Sequence, residues 1–125
     1  LMAAPSGTVW GSIVGGYGRI GIYRGLSSTA TTTTVTVELW FWSKYSVGDS
    51  GNTLYYNILG AAGSATTSAG TVSINTTVDT GAGWSTSNQV KMKSYSYSYT
   101  RGTSAITRYL YAKLANRLIF WIISV

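Results

Sequence analysis

Hydrophobic and polar positions alternate with a period of two through the longest patterned stretch of the chain, Thr31 to Val47, TTTTVTVELWFWSKYSV. Val35, Val37, Leu39, Phe41, Ser43, Tyr45 and Val47 fall on one face, and Thr34, Thr36, Glu38, Trp40, Trp42, Lys44 and Ser46 on the other. Successive side chains point to opposite faces in an extended strand. β-Branched and aromatic residues also suit a pleated surface and lose rotamer freedom in a helix. The stretch therefore predicts a half-buried strand. Its Val/Leu/Phe row needs a second apolar layer from elsewhere in the chain, because each such side chain contributes roughly 1.5–3 kcal/mol only when fully buried.

The rest of the chain repeats the period in shorter pieces. Residues 1–6 read as a loose leader, and Thr8 to Val14 as a short first strand. Gly15, Gly16 and Gly18 around Tyr17 make a turn, since glycine takes positive φ without strain. Arg19 to Arg24 is a second strand with Ile20 and Ile22 inward, and Ser27 to Thr33 is a hydroxyl-rich linker. After a turn at Gly48 to Asn52, Thr53 to Ile58 is expected to return and pair with the long strand as a hairpin. Leu59 to Gly70 is a small-residue loop, and Thr71 to Val78 places Val72, Ile74, Thr76 and Val78 on one face. Gly81 to Asn88 is a turn whose Trp84 plugs an end of the fold. Gln89 to Thr100 is the second long strand, with Lys91, Lys93, Tyr95, Tyr97 and Tyr99 opposed to Val90, Met92, Ser94, Ser96 and Ser98. Ala105 to Leu114 sets Leu110, Ala112 and Leu114 against Tyr109, Tyr111 and Lys113, and a hairpin between these two would align the tyrosine rows. No helical period competes. The pattern predicts one all-β domain over residues 1–125, an antiparallel β-sandwich, immunoglobulin-like or jelly-roll-like, of about seven or eight strands.

The segment 116–125 is apolar on both faces of any strand it could form. Leu118, Ile119, Phe120, Trp121, Ile122 and Ile123 are therefore expected to contact a second copy. LIFWII is far shorter than the roughly 18–20 residues that cross a bilayer, so no membrane span is predicted.

Composition then narrows the chemistry. There is no cysteine and no histidine, which excludes zinc fingers, thiol catalysis, imidazole bases and Ser-His-Asp triads. No cofactor or metal site is expected. Glu38, Asp49 and Asp79 are the three acids, whereas glycoside hydrolysis needs two carboxylates facing across a cleft. Glu38 beside Trp40 is the best single acid candidate, yet a cross-strand partner for Lys or Arg is the simpler role, and Asp49 reads as a turn former rather than a calcium ligand. The chain is read as non-enzymatic. Its net charge is +6, but the nine basic residues are spread along the sequence instead of gathered in one patch, which argues against nucleic acid. GGYGRIG lacks the GK[ST] ending and following helix of a phosphate loop. Abundant Thr, Ser, Gly and Tyr fit an extracellular or virion β protein kept soluble by hydroxyls.

SGTVWGSIVGGYGRIGIY, VTVELWFWSKYSVGDSGNTLYYN, and GWSTSNQ followed by SYSYSYTRGTSAI resemble a β-sandwich module of prophage and siphophage minor structural proteins. The resemblance covers about residues 5 to 114 and rests on words such as WFWSKYSV and YTRGTSA; NRLIFWIISV departs from the Gly-rich continuation of such modules. It implies a virion component of the tail-tip or fibre type, often associated with host-surface attachment, and carries no catalytic residue over.

The residues expected to bind glycan or partner are Trp40, Trp42, Lys44, Lys91, Lys93, Tyr95, Tyr97, Tyr99, Tyr109 and Tyr111. Rings of this kind stack on sugar faces, and Lys meets acidic groups of a cell-wall polysaccharide. The plainer alternative for the tyrosines is sheet cover or subunit packing. The expected function is a virion structural module that self-assembles, with copies of itself or other virion proteins, and attaches to host-surface glycans. The alternatives are a stand-alone carbohydrate-binding protein and a cationic membrane-active β protein.

Overall fold

The computed structural model describes residues 3–13, 16–46, 53–61, 70–74, 76–100, 107–114 and 117–124. These form eight strands: β1 (Val9–Trp10), β2 (Gly18–Ser28), β3 (Thr32–Ser43), β4 (Thr53–Ala61), β5 (Gly70–Ser73), β6 (Gln89–Thr100), β7 (Thr107–Leu114) and β8 (Arg117–Ser124). They make two four-stranded antiparallel sheets, β1-β2-β3-β6 and β5-β4-β7-β8. The fold is an all-β antiparallel sandwich, as the alternation predicts.

The inner row of β3 is core. Val35, Val37, Leu39 and Phe41 are fully buried and pack with Ile20 and Ile22 of β2, Leu54 and Tyr56 of β4, Ile74, and Leu110, Ala112 and Leu114 of β7. β3 ends at Ser43, earlier than the pattern implies, and Tyr45 is exposed. Val47 and the predicted turn at 48–52 lie outside the described residues. The row Val72, Ile74, Thr76 and Val78 is covered as expected, although only Gly70–Ser73 is strand.

Four expectations about connection change. β4 does not pair with β3 as a hairpin; both edges of β3 are taken by β2 and β6, and β4 crosses to the second sheet between β5 and β7. β6 and β7 likewise lie in different sheets, so their tyrosine rows do not align. Ser27 to Thr33 is no linker but the end of a long β2–β3 hairpin paired from Gly18↔Ser43 to Ser28↔Thr33. Its turn closes because the Thr29 hydroxyl accepts from the amides of Thr31 and Thr32, while the Thr29 amide donates to the Thr32 carbonyl at 2.8 Å. Residues 3–6 are not a loose leader: the Ala4 amide donates to Gln89 Oε1 at 2.6 Å.

A fifth change concerns the faces of β6. Opposite β3 the register runs from Leu39↔Lys93 to Trp40↔Lys91, so Met92 is an extra residue in a β-bulge. Such an insertion reverses which face the following residues take. Lys91 shares the outer face with Trp40, whereas Tyr95 and Tyr99 stand opposite Val37 and Thr33 in the inner row and, with Met92, pack against the core. Tyr97 stands opposite Val35. Tyr95 and Tyr99 thus pack against the core, and a side-chain hydrogen bond joins Tyr95 to Tyr56 of the second sheet.

Candidate functional site

On the outer face of the first sheet, side chains of β1, β2, β3 and β6 line up in rows fixed by the register: Trp10, Gly21, Trp40, Lys91; then Tyr23, Glu38, Ser94; then Gly25, Thr36, Ser96; then Ser27, Thr34, Ser98. Two glycines decide how the rings lie. A Cβ at Gly21 would sit 2.7 Å from Trp10 Cε3, so the missing side chain is what lets the indole rest on the sheet. A Cβ at Gly25 would meet Tyr23 Oη at 2.7 Å, so the Tyr23 phenol lies along β2 over that position.

Next to Tyr23 the face is open. A hollow of about 360 Å³ is lined by Pro5, Tyr23, Gly25, Leu26, Ser27, Thr34, Thr36 and Glu38. Leu26 is 48% exposed, and the hydroxyls of Tyr23, Ser27 and Thr36 make no hydrogen bond to a described residue. Thr34 Oγ1 and Ser98 Oγ are 3.1 Å apart across the β3–β6 pair. Glu38 stands at the inner rim, held from two sides: Trp40 Nε1 donates to its Oε1 at 2.9 Å, and Lys91 Nζ lies 3.9 Å from its Oε2. The carboxylate is half-buried with one oxygen engaged by the indole, which leaves acceptor capacity toward the hollow. The sequence anticipates the Lys partner but not the indole bond.

Beyond Trp40 the face is closed by a tryptophan cluster. Trp42 has its ring centroid 5.1 Å from Trp10 and 6.1 Å from Trp84, with the Arg19 guanidinium 5.9 Å away. Trp42 Nε1 donates to the Ser85 carbonyl at 3.0 Å, tying residues 79–88 to the sheet. That segment is organised by buried Asn88, whose amide donates to the carbonyls of Asp79 and Gly83 and accepts from the Asp79 amide. Trp84 therefore packs on the outer face of a sheet, not over an end of the sandwich.

The expected binding residues are scattered by this geometry. Trp40 is 2% exposed and offers no open ring; the Trp10 indole fills the space above Gly21, its neighbour in the row. Trp42 is enclosed in the cluster, and Lys44 stands apart, its ammonium 5.3 Å from the Tyr45 ring. Lys91 serves Glu38, Lys93 is exposed beside the bulge, and Tyr95 and Tyr99 face the core. Tyr109 and Tyr111 belong to β7 in the other sheet, where Tyr111 is 5% exposed. Leu118, Ile119, Phe120, Trp121, Ile122 and Ile123 form β8, paired with β7 along its length. Of the residues singled out from sequence, Glu38 lines the hollow, and Trp40 and Lys91 reach it only through their contacts with the Glu38 carboxylate. Tyr23, Ser27, Thr34 and Thr36 were missed as site residues, although their outward parity was readable once β2 and β3 are taken as one hairpin.

No described group of three or more Asp or Glu side chains could hold a metal ion, and no described helix is long and apolar enough to cross a membrane. No family model, curated protein or solved structure matches this chain.

Proposed function

We propose that the chain is a non-enzymatic attachment module that binds glycans on the outer face of its first sheet and is built into a larger assembly of the virion tail or fibre kind. The observation that carries the binding part is the hollow at Glu38: open, lined by hydroxyls and one carboxylate, with Tyr23 and Pro5 giving apolar surface for the C–H face of a sugar ring. Catalysis is disfavoured by what the described acids do. Glu38 holds an indole and an ammonium, while Asp79 caps a 3₁₀ turn by accepting from the Gly81 amide at 3.0 Å. The virion setting, outside cells, is supported by the phrases VTVELWFWSKYSV and SYSYSYTRGTSA and the resemblance they carry. Self-assembly is supported by β8, an outer strand of apolar sequence.

The test is affinity electrophoresis of the full chain through gels containing soluble bacterial cell-wall polysaccharides. The parent is expected to be retarded by at least one of them. Gly25→Val, which fills the floor of the hollow with a side chain suited to a strand, is expected to run unretarded while keeping its circular dichroism. If no polysaccharide retards the parent, or the variant is retarded equally, the reading fails.

A further inference from the structure

We infer that Glu38 is the specificity-determining residue of this site and selects neutral sugars by accepting the two hydroxyls of a vicinal diol. The inference rests on the glycan-binding reading and adds to it the class of sugar.

The argument starts from what surrounds the carboxylate. Glu38 is the one acidic side chain lining the hollow, and its orientation is fixed: Trp40, two residues along the same strand and 2% exposed, donates from Nε1 at 2.9 Å. A buried indole cannot follow a moving carboxylate, so the acceptor is held in place before any ligand arrives. Lys91 at 3.9 Å from Oε2 adds opposite charge from the side of β6, on the far side from Tyr23, which pairs with Glu38 from β2. A carboxylate offers about four lone-pair directions, and the indole takes one. Two adjacent hydroxyls on one sugar ring match the two oxygens of such a group as paired donors, while the Tyr23 ring, opposite Glu38 across the strand pair, lies beside it to meet the ring carbons. Thr36, in the adjoining row, supplies a hydroxyl that can serve either as donor or acceptor.

The same charge disfavours acidic sugars. A uronate or phosphate brought to this rim meets a carboxylate already partnered, and like charges at close range repel. The +6 net charge of the chain draws anionic polymers to it generally, but not into the hollow. Recognition by Lys of an acidic cell-wall polymer, expected from composition, is therefore replaced at this site by recognition of a neutral diol by an acid.

The experiment uses dextran and mannan as neutral probes and polygalacturonate as the acidic one, in affinity gels run at moderate salt to suppress general charge attraction. Retardation of the parent by dextran or mannan is expected, and it should vanish when the same polysaccharide has been oxidised with periodate and reduced with borohydride, which destroys vicinal diols. Glu38→Gln keeps the size of the side chain and an oxygen for Trp40 but removes the charge; its affinity is expected to fall about tenfold or more, as for loss of hydrogen bonds to a charged group. The periodate arm needs no variant, so it decides even if Glu38→Gln folds poorly. A parent retarded by polygalacturonate alone, or equally by oxidised and native neutral polymers, leaves a glycan-binding face standing and overturns the diol assignment, as does a folded Glu38→Gln of undiminished affinity. A parent retarded by none of the three overturns the diol assignment, while the glycan reading stands or falls by the cell-wall polysaccharide gels.

Discussion

Gly21 shows how much a single absent side chain arranges. It lies between Trp10 and Trp40 in one cross-strand row, and the space above it is filled by the Trp10 indole, with Thr8 Cγ2 also 2.9 Å from where a Cβ would be. β1 holds only two paired positions, Val9↔Ile22 and Trp10↔Gly21, so the indole is a large part of what keeps the N-terminal strand on the sheet. Gly21→Ala sets a methyl into ring atoms and is expected to displace β1, uncover Trp40 and cost about 1–3 kcal/mol, the usual range for an overpacked site. Denaturant unfolding gives the cost, and a red shift of tryptophan emission reports the uncovering. An unchanged midpoint and spectrum would mean that β1 contributes little to the outer face. Trp40 itself illustrates why parity alone misplaces a site residue: alternation assigns it correctly to the outer face, but an outer face is not necessarily a wet one when the Trp10 indole fills the space above the glycine beside it.

At the scale of elements, β6 and β4 carry the lesson. An uninterrupted reading of QVKMKSYSYSYT puts the lysines and tyrosines together, and the bulge at Met92 sets Lys91 apart from the tyrosines. No residue in that string announces an extra position opposite Leu39 and Trp40; the core does, because Tyr95 and Tyr99 pack against it and Tyr95 reaches Tyr56. Burial pushes the Tyr56 phenol above its ordinary value of about 10, and its hydrogen bond with Tyr95 and the nearby phenol charge push the same way. The folded state thus holds this proton more tightly than the unfolded chain. The resulting stability is fully present below the ordinary tyrosine pKa and is lost as pH rises through the raised one. Alkaline titration of the unfolding midpoint should show this loss above about pH 10, and Tyr56→Phe should flatten it in part, since Tyr17, also raised by burial, remains. A Tyr56→Phe curve parallel to the parent's would exclude Tyr56 from the loss. The strands themselves were legible: long alternating runs of Val, Ile, Tyr and Thr fix β2, β3, β6 and β7 in outline. Their pairing was not, because the period of two says which face a residue takes and nothing about which strand lies beside it.

At the scale of the molecule, the two sheets have four outer strands, and they differ in how readily each would accept another. β1 and β5 are two and four residues long, too short to template much pairing. β6 is long but carries exposed Lys91 and Lys93 around its bulge, features that discourage an incoming strand. β8 has neither defence. It runs eight residues in unbroken register with β7, from Leu114↔Arg117 to Thr107↔Ser124, with no charged residue after Arg117. The sequence pattern predicts that 116–125 contacts a second copy; in the fold Arg117–Ser124 is an integral strand of the second sheet, so deleting it would strip an edge from β7 rather than simply release a partner. Substitution within the strand is the sharper test. Leu118 and Ile122 stand opposite Lys113 and Tyr109, out of line with the core row Leu110, Ala112 and Leu114, so replacing both by Lys imitates the protection found on β6 without entering that row. If β8 pairs antiparallel with β8 of a second copy, joining two four-stranded sheets into one about a twofold axis, sedimentation velocity should show the parent as a dimer or larger and Leu118→Lys/Ile122→Lys as a folded monomer. A parent that sediments as a monomer, or a double variant that keeps the parent's assembly with its circular dichroism intact, would place any self-assembly elsewhere than on this edge.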